Sequence, residues 1–304
     1  MTTALYTHPD CLVQITPLGH PERATRLKVV AEVLEDIDLD RRAPPLGTDA
    51  DVLLVHEADY LARIRSMEPE SGLKQIDDDT YMTPGAFNAA MRGVGGAIAA
   101  VDAVLAGEVA NAFVAVRPPG HHAERNKAMG FCLFGNVAIA AKHALDHHGL
   151  SRVAVVDFDV HHGNGTQDLL WDEARVRFVT TQQMPLWPGT GDASEQGAHG
   201  QIMNRGLKPG SDGAAMRALY ESDVFPWLEA FSPELIVVSA GFDAHIRDPL
   251  AQLEWVGEDY AWLTERICDL CPRVVSVLEG GYDLQGLGEG VRAHVQVLTE
   301  RGHG

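Results

Sequence analysis

The stretch Asp157-Phe158-Asp159-Val160-His161-His162-Gly163-Asn164-Gly165 sets two carboxylates and an imidazole at alternate positions directly after an apolar run. In an extended chain alternate residues share a face, so Asp157, Asp159 and His161 are expected to point the same way. Buried together without a cation they would repel and lack solvation. A divalent metal answers that problem; a hydrogen-bonded polar cluster is the other reading. Asp243, in Ser239-Ala240-Gly241-Phe242-Asp243, reads either as a further ligand or as a helix cap. With it, Asp159, His161 and Asp243 make a three-ligand set of the kind that leaves a catalytic zinc one open position. The oxygen-rich shell also suits iron(II) or cobalt. His121 and His122 follow Arg117-Pro118-Pro119-Gly120, and two histidines near an activated water suggest a base and a partner of different basicity. Asp157 is then free to orient an imidazole. Tyr282, after Glu279-Gly280-Gly281, is suited to donate a hydrogen bond to a developing oxyanion.

These groups need a scaffold that brings them together. Short β-branched runs at 113–116, 153–156, 176–179, 235–238 and 274–278 alternate with helical patterns at 136–145, 216–230 and 259–270. That rhythm predicts an α/β fold with a parallel sheet covered on both faces. Polar motifs follow four of these strands, and ligands of open α/β sheets sit outside the carboxyl ends of strands. Gly93-Val94-Gly95-Gly96 resembles a dinucleotide-binding loop but follows a helical pattern, which predicts close helix–helix packing instead. His147-His148, before Gly149, reads as a solvated helix end.

The chain has 304 residues and no shift in composition that marks a linker, so a single domain over 1–304 is expected. Lysines and arginines number 24 against 43 acidic residues, for a net charge of −19. Nucleic-acid binding is thereby disfavoured. The acidity either attracts cationic substrates or serves solubility. No apolar run approaches the ~20 residues of a membrane helix, and the start carries no signal-peptide pattern; no membrane association and a cytoplasmic location are expected. Four cysteines fit a reducing compartment. Cys268-x-x-Cys271 reads as buried structural thiols or, alternatively, as a zinc or redox pair.

The motifs in combination resemble the histone deacetylase and acetylpolyamine amidohydrolase family, in its class II-like bacterial branch. They are HPER at 20–23, RPPGHHAE at 117–124, GFCLF at 130–134, DFDVHHGNGTQ at 157–167, PGTGD at 188–192, SAGFDAH at 239–245 and EGGYD at 279–283. The resemblance implies the arginase-deacetylase fold, a largely parallel sheet of about eight strands flanked by helices. It implies zinc ligation by Asp159, His161 and Asp243, with His122 as the main base and acid and His121 paired with Asp157. Asn164 would support His122, and Tyr282 would polarise the substrate carbonyl. Gly130, Phe131 and Trp187 would wall an acyl-lysine tunnel, with Asp79 at its rim. A structural potassium ion is implied around Asp157, Thr180, Thr181 and the backbone of Asp159 and His161.

Three positions depart from the family pattern: Trp187 for a Phe or Tyr, Gln182 for a His, and Gly135 for an Asn. Leu250 stands where polyamine-selective relatives carry an acidic residue, which disfavours a polyamine substrate. The expected activity is removal of acetyl or other acyl groups from lysine side chains or related N-acyl amines. The alternatives are a small-molecule amidohydrolase acting on acetylpolyamines or xenobiotic amides, and a non-catalytic acyl-lysine binder. The expected partners are an acylated lysine peptide or a small N-acyl amine, and a homo-oligomer is compatible with the sequence.

Overall fold

The β-branched runs become strands of one parallel sheet in the computed structural model, which describes residues 1–302; the last two residues of the expected 1–304 unit lie outside the described residues. In chain order the strands are β1 (Thr3–Tyr6), β2 (Asp40–Arg42), β3 (Lys74–Gln75), β4 (Tyr81–Met82) and β5 (Asn111–Val114). They continue as β6 (Val153–Asp157), β7 (Val176–Gln183), β8 (Ile202–Leu207), β9 (Leu235–Ala240) and β10 (Val274–Leu278). Eight of them form a sheet in the order β2-β1-β5-β10-β9-β6-β7-β8, and every pairing in it is parallel. The remaining two, β3 and β4, pair as a small antiparallel hairpin whose turn carries Asp77, Asp78 and Asp79.

Both faces of the sheet are covered, which is why its strands read as unbroken apolar runs rather than alternating ones. On β5 the Phe113 ring lies 5.7 Å from that of His294, on the helix Leu284–Gly302. The next residue, Val114, meets Gly96 on the helix Ala86–Leu105 across the opposite face. The latter helix packs on Asn136–Asp146, and Leu284–Gly302 packs on Gly257–Leu270 and Thr25–Val33. Buried apolar side chains join strands and helices in one cluster.

Some local expectations need correction. The run 216–230 is not one regular helix: Gly213–Leu219 passes through a wide turn at Tyr220–Val224 into Phe225–Phe231. Pro226 cannot donate an intrahelical hydrogen bond, so the regular ladder is interrupted there. Gly93 does pack on another helix, at Asn136, but Gly95 and Gly96 admit the loop at Pro44–Gly47 and strand β5. Cys271 is buried, whereas Cys268 is only half-buried, and the two are not bonded to each other.

Candidate active site

Four neighbouring strands, β5, β10, β9 and β6, deliver the four polar motifs to the same edge of the sheet. Strand β6 ends at Asp157, so Asp159 and His161 do not continue an extended chain as the alternation predicted. Instead, carboxylates fold the backbone locally. Asp157 Oδ1 accepts the Asp159 N–H at 3.1 Å, and Asp159 Oδ1 accepts the His161 N–H at 2.9 Å. Such side-chain-to-backbone bonds compete with strand pairing. The turn separates Asp157 from the other two: it accepts from His121 Nδ1 at 3.0 Å. Asp159 and His161 meet Asp243 instead.

His161 Nδ1 lies 3.1 Å from Asp159 Oδ1 and 3.1 Å from Asp243 Oδ2. All three residues are buried. Gly280 N–H donates to Asp159 at 2.8 Å and Val160 N–H to Asp243 at 3.0 Å, fixing both carboxylates. A Cβ at Gly241 would collide with Asp159, and one at Gly280 would collide with both aspartates. Burial opposes charge on His161, but the two flanking carboxylates outweigh it and raise its pKa to about 10. The trio therefore calls for positive charge at its centre, and two oxygens with one nitrogen within reach of one another fit a divalent metal.

The tandem histidines are tuned in opposite directions. Burial disfavours charge on His121, yet Asp159 and Asp157 prevail and hold its pKa well above the ordinary value. Burial lowers that of His122, and the neighbouring His121 and His161 push it further down. His122 Nδ1 bonds Asn164 Oδ1 at 2.7 Å, while Asn164 Nδ2 donates to Glu124 at 2.8 Å. With the amide oxygen on His122, Nδ1 carries the proton and Nε2 is the open acceptor.

A cavity of about 320 Å³ leads down to His122 and His161. Its walls include Phe131, Trp187, Leu250, Gly130 and Tyr282, with Asp78 and Asp79 also lining it. Gly130 adopts φ 56°, and a Cβ there would fall 2.5 Å from the His122 ring and 2.7 Å from that of Trp187. Phe131 follows at φ 69°, a conformation few non-glycine residues hold; its N–H donates to Thr80 at 3.0 Å. Of the three departures from the family pattern, only Trp187 reaches the cavity. Gln182 is buried and donates to Gly191 O at 2.9 Å, and Gly135 starts the helix Asn136–Asp146.

Asp157 sits opposite Thr180 across β6 and β7. The Thr181 hydroxyl turns the other way, to Tyr220 at 2.8 Å. Adjacent strand residues face opposite sides, so Thr181 can offer an ion beside Asp157 only its backbone carbonyl.

Sequence reasoning passed over two buried carboxylates. Glu279 accepts the Gly120 and His121 N–H groups at 2.7 and 3.1 Å, and burial raises its pKa to about 7. Its signal was available, since an acid directly after an apolar strand is the pattern that singled out Asp157. Asp248 accepts the N–H of Tyr282 at 2.7 Å and of Leu250 at 3.0 Å, holding two cavity residues together. Nothing local in Asp248-Pro249 predicts that role.

The sequence matches the histone deacetylase domain family over residues 20–298. The chain belongs to the histone deacetylase family. It is 41% identical over 279 residues to an uncharacterised protein of Synechocystis, covering 90% of this chain and 91% of that one. It is also 40% identical over 277 residues to the histone deacetylase-like amidohydrolase of Pseudomonas aeruginosa, covering 87% and 73%. The crystal structure of the HDA15 HD domain superposes with a TM-score of 0.92 at 30% identity, covering 97% of this chain and 90% of that one. Membership in the family makes the protein an amidohydrolase of the deacetylase type. No described helix is long and apolar enough to cross a membrane.

Proposed function

We propose that the protein is a zinc-dependent hydrolase that removes acyl groups from lysine side chains, acting as one catalytic domain over 1–304. The observation that carries this reading is the floor of the cavity, where His161 of the buried Asp159–His161–Asp243 trio opens beside His122, with Tyr282 in the wall. Zinc held by those three residues, or iron(II) or cobalt in its place, would polarise the amide carbonyl and make water a stronger acid.

The chain's own groups then have separable tasks. Nε2 of the neutral His122 takes the proton of the attacking water, while Asn164 fixes the ring through Nδ1. Tyr282 donates its hydroxyl to the carbonyl oxygen as negative charge builds there. Burial first, and then the charge of Asp243, keep that phenol protonated by raising its pKa well above the usual value. His121, its positive form favoured by Asp157 and Asp159, provides electrostatic support beside the reacting amide. The leaving amine recovers a proton from the imidazolium, so neither an acyl-enzyme nor a nucleophilic cysteine is needed.

Phe131 and Trp187 suit the aliphatic stem of a lysine, and Asp79 suits the N–H groups of a peptide. A potassium ion beside Asp157, with the Thr180 hydroxyl and the backbone of Asp159, His161 and Thr181, belongs to the same proposal. A cytoplasmic location is supported by the four free cysteines. The second reading, a small N-acyl amine as substrate, is favoured by Asp78 and Asp79 at the cavity and opposed by the neutral Leu250.

The test is amine release from an acetyl-lysine peptide, a longer-chain acyl-lysine peptide and an acetylpolyamine, each with zinc-loaded and metal-stripped protein. Zinc-dependent turnover favouring a lysine peptide is expected. Preference for the acetylpolyamine would select the second reading, and zinc binding without turnover on any of them would point to an acyl-lysine binder.

A further inference from the structure

The helix Asn136–Asp146 ends in a group of imidazoles remote from the cavity. His143 and His147 are one turn apart, their rings stacked at 4.8 Å with 12° between planes. His148 meets them edge-on, at 5.2 and 5.1 Å. One ring nitrogen from each of the three lies within 4.8 Å of the others. A second element contributes a carboxylate: Asp102, on the helix Ala86–Leu105, bonds both His143 Nε2 and His148 Nε2 through the same oxygen, at 2.7 Å each. A solvated helix end, the sequence-based expectation for His147-His148, accounts for neither the shared carboxylate oxygen nor the third ring.

We propose that His143, His147, His148 and Asp102 form a second metal site, for a borderline divalent cation such as zinc, that clips the two helices together. Imidazole suits zinc, copper and nickel, and histidines four apart on a helix share one face for joint ligation. The carbonyl end of a helix and the Asp102 carboxylate both favour a cation. Ligand bonds of about 2.0–2.1 Å would draw the nitrogens closer than they now lie. The anchor for that contraction is His143, with its side chain only 11% exposed. His147 is free to swing at the surface, and His148 would exchange its bond to Asp102 for a bond to the ion. The site is separate from the catalytic one. At 1.5 Å per residue, the 11 residues of the helix span about 16 Å, and its other end packs against Gly120, beside His121.

Wild type, His147→Gln and His147→Ala/His148→Ala would be dialysed to equilibrium against zinc and the bound metal counted per chain, with amine release measured on the same samples. Wild type is expected to hold one more zinc per chain than either variant, at equal turnover, and copper(II) is expected to lose nitrogen couplings in its electron paramagnetic resonance spectrum in the variants. Turnover reports an intact fold, so a lost ion cannot be assigned to unfolding. Equal zinc counts in all three proteins would overturn the site. Because the reading is a difference between proteins, it stands apart from whether the cavity itself takes zinc.

Discussion

Tyr282→Phe separates the chemistry proposed for the cavity from its architecture. The ring is held from several sides: the Arg26 guanidinium lies 5.0 Å from its centroid and the Phe131 ring 5.8 Å away. Its backbone N–H is fixed by Asp248 at 2.7 Å. The hydroxyl, by contrast, has no hydrogen-bond partner among the described residues. Removing it breaks no protein hydrogen bond, so stability should change by less than about 1 kcal/mol. For a chain of this size that is a Tm shift of no more than about 4 °C. In the proposed mechanism the same hydroxyl is one of the donors to the developing oxyanion, and loss of such a donor costs about 10²–10³ in kcat, or ~3–4 kcal/mol. The interaction strengthens as charge develops, so kcat should fall much more than KM rises. The assay is steady-state amine release from an acetyl-lysine peptide, with zinc per chain and Tm measured on the same preparations. Near-wild-type kcat in a folded, zinc-loaded variant would refute the donor role. A Tm loss well beyond that range would refute the claim that the hydroxyl is structurally unpartnered.

Other perturbations probe the metal ligands, the cavity wall and the pH dependence. Asp159→Ala should abolish zinc binding in the cavity and with it turnover; zinc retained there, counted in the His147→Ala/His148→Ala background, would remove Asp159 from the ligand set. Gly130→Ala forces a Cβ into His122 and Trp187 at a positive φ, and a base displaced on the ångström scale should lose about 10²-fold in kcat/KM. Full activity in that variant would show that the wall yields. Stability should also fall in mild acid. Burial lowers the pKa of His56 from 6.5 to about 4, and its Nε2 accepts the Gly135 N–H at 2.9 Å inside the core. The unfolded chain takes up that proton first, so the contribution is complete above about pH 6.5 and is lost as pH falls toward 4, reaching about 3 kcal/mol. Titration of His56 by NMR near pH 6.5 in the folded protein would contradict this.

Much of the site is written locally in the chain. Residue type and spacing single out the residues proposed as metal ligands, Asp159 and His161, as proton carriers, His121 and His122, and as the oxyanion donor, Tyr282 after two glycines. The strand-then-helix rhythm likewise specifies a covered parallel sheet, because burial on both faces leaves unbroken β-branched runs. Sequence does not determine which strands are neighbours. Strand order depends on crossovers between distant segments, and only the folded sheet sets β5, β10, β9 and β6 side by side so that Asp243 reaches His161 from 82 residues away. Burial decides the rest. Glu279 and Asp248 become backbone-positioning acids because the fold removes them from water and leaves main-chain N–H groups as partners. The opposed tuning of His121 and His122, adjacent and identical in the sequence, arises because one faces two carboxylates and the other faces two imidazoles and an amide.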